Sequence, residues 1–206
     1  LFKKYQNKYS NFRVIDANYE FNYSKINNQA VEAAKGEYIV LLNNDTEIIT
    51  PHWLQVMVGY AMQPHIGAVG AKLLYPDNTV QHAGIILGIG GIAQHCFIDN
   101  PREDVGFYGR LSVPFNYSAV TAACLMVSKE KYLEVNGLEE DLQVAFNDVD
   151  FNLKLLKQGY YNICLNQVEL YHYESKSRGD DTVDTKSAKY RRFVQEHDYI
   201  KDKWGY

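Results

Sequence analysis

The chain has little cysteine, little proline and no long hydrophobic run, and each scarcity removes a class of protein. Cys96, Cys124 and Cys164 are the three cysteines in 206 residues, too few and too far apart for a disulfide-stapled scaffold. They form no CxxC pair and each sits in an apolar stretch, so they read as buried thiols of a reducing compartment. Five prolines and 14 glycines fall short of a linker or fibrous composition. The longest mainly apolar run, Ala83 to Ala93, carries four glycines and is far shorter than the ~20 residues that span a bilayer. An excess of positive charge is missing too: 21 basic residues stand against 25 acidic ones, scattered along the chain, for a net charge of -4. Phosphate-driven binding needs a concentrated basic surface, which excludes nucleic acid as a partner.

What is present is a globular composition, 46% apolar and 22% charged, in a length suited to one substantial domain. The chain opens at Leu1 without Met or signal peptide, directly in a helical stretch, and is read as a piece of a longer protein. Phe12 to Ile15 is a candidate strand. Ser24 is placed as the N-cap of a helix from Lys25 to Lys35, stopped by Gly36. Tyr38 to Leu42 (YIVLL) is a continuous apolar run of strand length, which predicts burial on both faces of a parallel or mixed sheet. It ends abruptly in polar Asn43, Asn44 and Asp45. Thr50 and Pro51 then open a helix to Met62. Further strands are expected at Ala68 to Tyr75, Ala119 to Val127, Tyr160 to Leu165 and Val168 to Tyr173. Helices are expected at Lys129 to Val135, from Asn147 to Gly159, and at the charged C-terminus, after a polar loop from Glu174 to Asp181. The glycine-dotted region Gly84 to Gly109 lacks the spacing of a dinucleotide fingerprint. Alternation of strand and helix makes the fold class α/β.

Three constellations could carry chemistry. Asn43-Asn44-Asp45 lies at the carboxyl end of a buried strand, the edge of an α/β sheet where ligands bind. A carboxylate beside amides offers oxygen ligands to magnesium or manganese, and an Asx turn closing the strand would use the same residues. In Phe146-Asn147-Asp148-Val149-Asp150, Val149, Leu153 and Leu156 share one helix face, which puts Asp148 and Asp150 in the first turn. Acids there also serve simply to complement the helix dipole. Tyr171-His172-Tyr173 follows an apolar strand, and a lone histidine in that place can be a packing residue or a ligand.

Taken in order, these segments are similar to bacterial family 2 glycosyltransferases, inverting enzymes of the GT-A fold, in a rhamnosyltransferase-like subgroup. The stretches that carry the likeness are FNYSKINNQAVEAAKGEYIVLLNNDTEIITPHWL, IGAVGAKLLYPDNTVQHAGIILGIGG, YSAVTAACLMVS, AFNDVDFNLKLLKQGYYN and ELYHYESKSRG, about Phe21 to Gly179. The resemblance implies that Asn43-Asn44-Asp45 stands for the metal-binding DXD motif, with asparagine in place of the first aspartate. Asp45 would keep the carboxylate nearest the metal, manganese or magnesium, while Asn43 and Asn44 would face the donor. Asp148 matches the aspartate of the ED-type motif, the catalytic base, with Asn147 in place of glutamate. His172 matches a further metal ligand of some relatives. Asn28 matches a donor-side asparagine, although the arginine that often precedes it is Asn27 here. Asp141 and Asp150 are assigned to the acceptor side. The family's opening strand, helix and strand, with a DDGSTD-type motif, do not precede Leu1, so the fold is expected to lack its first β-α-β unit. Weak or no activity is expected of the isolated chain.

The function so implied is metal-dependent, inverting transfer of a sugar from a nucleotide-diphosphate sugar to a hydroxyl of a glycan or lipid-linked acceptor, in bacterial cell-surface polysaccharide synthesis. The QxxRW motif of processive relatives is absent, which favours a single transfer. The expected location is cytoplasmic, at the inner face of the plasma membrane if the acceptor is lipid-linked; Lys186 to Arg192 is the stretch suited to peripheral membrane contact. A second reading is a noncatalytic nucleotide- or glycan-binding module that keeps the fold. A third is a nucleotidyltransferase, which would carry a basic glycine-rich phosphate loop near its start.

Overall fold

The computed structural model describes residues 2–89, 91–173 and 184–205. In chain order the elements are α1 (Phe2–Lys8), α2 (Tyr23–Ala33), β1 (Tyr38–Leu42), β2 (Thr46–Ile48), α3 (Trp53–Ala61), β3 (Ile66–Leu74), β4 (Val80–His82), β5 (Ile85–Leu87), β6 (Ala93–His95), β7 (Phe115–Tyr117), β8 (Cys124–Ser128), α4 (Lys129–Glu134), α5 (Asn147–Lys157), β9 (Tyr161–His172) and α6 (Ala188–Trp204). The α/β class read from the sequence is present. A seven-stranded mixed sheet runs β1-β8-β3-β9-β2, with β4 on β3 and β7 on β9. β3 and β9 pair in parallel, and β8 lies antiparallel to both β1 and β3. The longer strands β1, β3 and β9 therefore share one direction, and their carboxyl ends share one edge.

Both faces of this sheet are covered, as the unbroken apolar runs predict. Ile39 and Leu41 of β1 pack with Leu125 and Val127 of β8 beneath Val31, Tyr132, Phe151 and Leu155 from α2, α4 and α5. On the opposite face Val69, Ala71 and Leu73 of β3 join Cys124 and Met126 beneath Trp53, Met57 and Ala61 of α3. The three cysteines are free and buried. Burial raises the Cys96 thiol to about 11 and Cys124 to about 12. They are packing residues.

Several boundaries differ from the sequence reading for local reasons. Phe12 to Ile15 belongs to no strand and pairs with no described one. Asn22, not Ser24, caps α2, its side chain accepting from Lys25 N; Ser24 is buried inside the helix and donates to the Leu142 carbonyl at 2.8 Å. α3 starts at Trp53 because Thr50 is drawn away, its hydroxyl accepting from Glu169 N. Of Ala119 to Ala123, all buried but Thr121, Ala119 bridges to Ile85 and residues 122–123 turn, so β8 begins at Cys124. The two strands expected at 160–165 and 168–173 are one, β9, with a register shift opposite Ala71 and Lys72. The loop expected at 174–181 lies outside the described residues. The face of α6 packs inward through Ile200, Tyr199 and Trp204 against α5 and β5. Among the described residues no helix is long and apolar enough to cross a membrane.

Candidate functional site

The carboxyl edge of the sheet opens into a cleft of about 630 Å³. Its walls include Asn43, Asn44 and Asp45 after β1, Gln81 and His95 from β4 and β6, Thr121 to Ala123 before β8, Asn147 and Asp148 from α5, and His172 at the end of β9. Tyr23, Ile26 and Phe21 close it on the α2 side. The three constellations that stand far apart in sequence thus meet in one place.

Strand register performs the juxtaposition. Thr46 pairs with His172 in the β2–β9 ladder, and Tyr173 N donates to the Asp45 carbonyl at 2.9 Å. This seats Asp45 Oδ1 3.2 Å from His172 Nε2. The other ring nitrogen, Nδ1, lies 2.7 Å from Gln81 Oε1, while Gln81 Nε2 donates to the His172 carbonyl. That second bond orients the amide so that Oε1 faces Nδ1. Nε2 then faces Asp45, whose Oδ1 is buried and has no other partner. The Asn43 amide nitrogen lies 3.3 Å from the same ring nitrogen. This donor set suits a hard divalent cation, which takes one or two protein ligands and completes its shell with phosphate or water oxygens. Among the described residues no third acidic, histidine or cysteine ligand joins them.

Asp148 approaches from α5. The helix is entered through Phe146, held in the left-handed region at φ 60, a conformation that costs a non-glycine residue about 1–2 kcal/mol. Asp148 Oδ2 accepts from Ala122 N at 3.1 Å and Oδ1 from Val149 N at 2.8 Å, which fixes the carboxylate at the cleft wall. Beside it the Tyr23 hydroxyl donates to the Ala122 carbonyl; burial, then the neighbouring Asp148, holds that phenol well above the ordinary tyrosine range. The 121–122 turn is itself pinned by His82, whose Nε2 accepts from Gly84 N and Thr121 N. Burial, with His95 and His172 nearby, drives the His82 pKa well below its usual value, so this ring stays neutral.

Three assigned residues stand elsewhere. Asn28 does not line the cleft. Its Oδ1 accepts from the Tyr132 hydroxyl and Leu138 N, and its Nδ2 donates to the Leu138 carbonyl and Glu140, so its amide is spent on the turn after α4. That turn passes so close that a Cβ on Gly137 would lie 2.5 Å from Asn28 Oδ1. Asp150 is 0% exposed and bound by Trp204 Nε1 and Lys203, which removes it from any acceptor. Asp141 is exposed in the loop before α5 and is not part of the cleft wall. Gln81, His95, Tyr23 and Thr121 went unassigned in the sequence. The signal available was the polar pair Gln81-His82 inside an otherwise apolar segment, fully buried in β4.

Two solved structures share this architecture over nearly the whole chain. One, described as GalNAc-T7 with UDP, GalNAc and Mn2+, matches 98% of this chain and 40% of its own at TM-score 0.71 and 11% identity. The other, mannosyltransferase PcManGT from Pyrobaculum calidifontis in complex with GDP-Man and Mn2+, matches 99% and 51% at TM-score 0.63 and 17% identity. The fold is that of the GT-A glycosyltransferases. Residues 1–130 match the family model described as Glycosyl transferase family 2, and the chain belongs to that family. An uncharacterized protein y4gI of Sinorhizobium fredii is 48% identical over 185 residues, 89% of this chain. The O-antigen biosynthesis protein RfbC of Myxococcus xanthus is 41% identical over 170 residues, 79% of this chain. The chain spans 20% and 13% of the length of these two relatives.

Proposed function

We propose that the cleft transfers a sugar, with inversion, from a nucleotide-diphosphate sugar to a hydroxyl of a glycan or lipid-linked acceptor in bacterial cell-surface polysaccharide synthesis. The observation that carries this reading is the separation of two kinds of acidic group on one cleft: Asp45 paired with His172, and Asp148 held alone by backbone donors. Asp148 is the base. Its oxygens are oriented by Ala122 N and Val149 N, and each keeps lone-pair capacity for an incoming hydroxyl. Asp45 and His172, with the Asn43 amide beside them, would hold manganese or magnesium. When bound, the cation offsets the charge that develops on the departing diphosphate.

The charge of the cleft supports a metal requirement. Two aspartates line it and, among the described residues, no lysine or arginine does. A diphosphate entering such a wall meets two carboxylates and no lysine or arginine to offset its charge unless a cation accompanies it. The presence of Mn2+ with UDP or GDP-Man in the two solved neighbours is consistent with this. Asn43 and Asn44 face the donor side, and relatedness to the O-antigen protein supports a polysaccharide acceptor. In the full-length protein, Asp148→Asn is expected to lower turnover by about 10²- to 10⁴-fold with donor binding intact. Turnover at the wild-type rate would remove Asp148 from the reaction.

A further inference from the structure

Asp148 stands two residues after Phe146, a non-glycine residue in the left-handed region, and something must hold that turn. The structure places a buried carboxylate directly behind it. Glu196 of α6 is 3% exposed and accepts from three consecutive backbone amides, Gln143 and Val144 at 2.8 and 3.1 Å through Oε1 and Ala145 at 2.7 Å through Oε2. Arg192 Nε, one helical turn earlier, lies 3.7 Å from the same carboxylate. The gripped segment continues straight to the base. Asn147 Nδ2 donates to the Val144 carbonyl, and Asn147 Oδ1 accepts from Asp148 N. α6 holds the turn on either side of this grip as well: the Phe193 ring packs on Phe146, and Trp204 and Lys203 bind Asp150.

We propose that Glu196 is a positioning residue for Asp148, acting through residues 143–147, so that α6 belongs to the machinery of the cleft although it does not line it. The proposal rests on Asp148 being the base. A carboxylate is suited to the task because it accepts at both oxygens and donates nothing. A glutamine in its place offers one accepting oxygen, and its amino group confronts the N–H donors it should receive. Val144 and Asn147 also line the cleft, so loosening this turn shifts the wall and the base together.

The test uses the full-length enzyme and the release of UDP, GDP or dTDP from the corresponding nucleotide sugars in Mn2+, water taking the sugar in place of the acceptor hydroxyl, with thermal melts alongside. Glu196→Gln is expected to lower kcat by about 10- to 100-fold, the range expected for an ångström-scale displacement, with donor KM within about threefold. Glu196→Asp keeps both accepting oxygens on a shorter stem and is expected to fall between Gln and wild type, which also serves if the Gln variant fails to fold. A Gln variant within twofold of wild-type kcat, or an Asp variant as slow as Gln at equal thermal stability, would overturn the proposal. Asp148→Asn run in parallel separates the two claims. If it turns over normally, the base assignment itself is wrong and the proposal falls with it. If it is inactive while Glu196→Gln is normal, the positioning role alone is wrong.

Discussion

At the residue scale, an amide can belong to a binding site or to the scaffold behind it, and its hydrogen bonds decide which. Asn28 has both ends of its side chain engaged, and removal of that side chain leaves the Tyr132 hydroxyl and Leu138 N without their acceptor. Asn28→Ala is therefore expected to destabilise the fold by about 1–3 kcal/mol while leaving nucleotide-diphosphate affinity unchanged, read from denaturant melts and calorimetry. A loss of affinity at unchanged stability would return Asn28 to the donor site. Gln81 shows the opposite case, with a scaffold residue acting on the site through another. Its Oε1 holds Nδ1 of His172, and thereby aims the other ring nitrogen at Asp45.

At the scale of elements, the sheet places its polar groups by register, and one partly buried ion cluster helps to hold that register. Glu169 of β9 meets Lys72 of β3 at 2.8 Å and Arg102 at 2.7 Å. Burial alone would raise the Glu169 pKa, but its bonds to Lys72 and Arg102 outweigh this and bring it below the ordinary 4.5. A group whose pKa is depressed on folding contributes stability above its unfolded value and loses it as pH falls through the folded value. Stability should thus decline below about pH 4.5, and Glu169→Gln should be less stable near neutrality with a flatter acid limb. An unchanged acid limb in urea titrations would contradict this. Much of this layer was legible in the sequence. Tyr38 to Leu42 announced a strand because its apolar run stops at Asn43, and α5 announced itself through Val149, Leu153 and Leu156. Less legible were segments whose fate depends on distant partners. Phe12 to Ile15 has strand composition but no described strand to pair with, and within Ala119 to Ala123 the chain leaves its bridge to Ile85 after Ala119 and gives Thr121 N to His82 and Ala122 N to Asp148. The site divides in the same way. Asp45, Asp148 and His172 stood out as polar punctuation after apolar elements. Gln81, Thr121 and Tyr23 reach the cleft only through pairing and packing, and Asp150 resembled a surface acid until Trp204 and Lys203 enclosed it.

At the scale of the whole molecule, the charge balance and the cleft tell one story. A chain with net charge -4 offers an anionic donor no general attraction, and its cleft wall adds two carboxylates. The fold reconciles this by bringing Asp45 and His172 to the edge where β1, β3 and β9 end, with a donor set suited to a cation. Metal-dependent recognition of the donor is the central claim. The most direct measurement is calorimetry of UDP, GDP and dTDP binding to the full-length protein, in Mn2+ and in EDTA, for wild type and Asp45→Ala. The account predicts that at least one diphosphate binds wild type at least about tenfold more tightly in Mn2+, equivalent to about 1.4 kcal/mol, and that Asp45→Ala abolishes the difference. Equal affinity in EDTA, or an undiminished Mn2+ effect in Asp45→Ala, would contradict it.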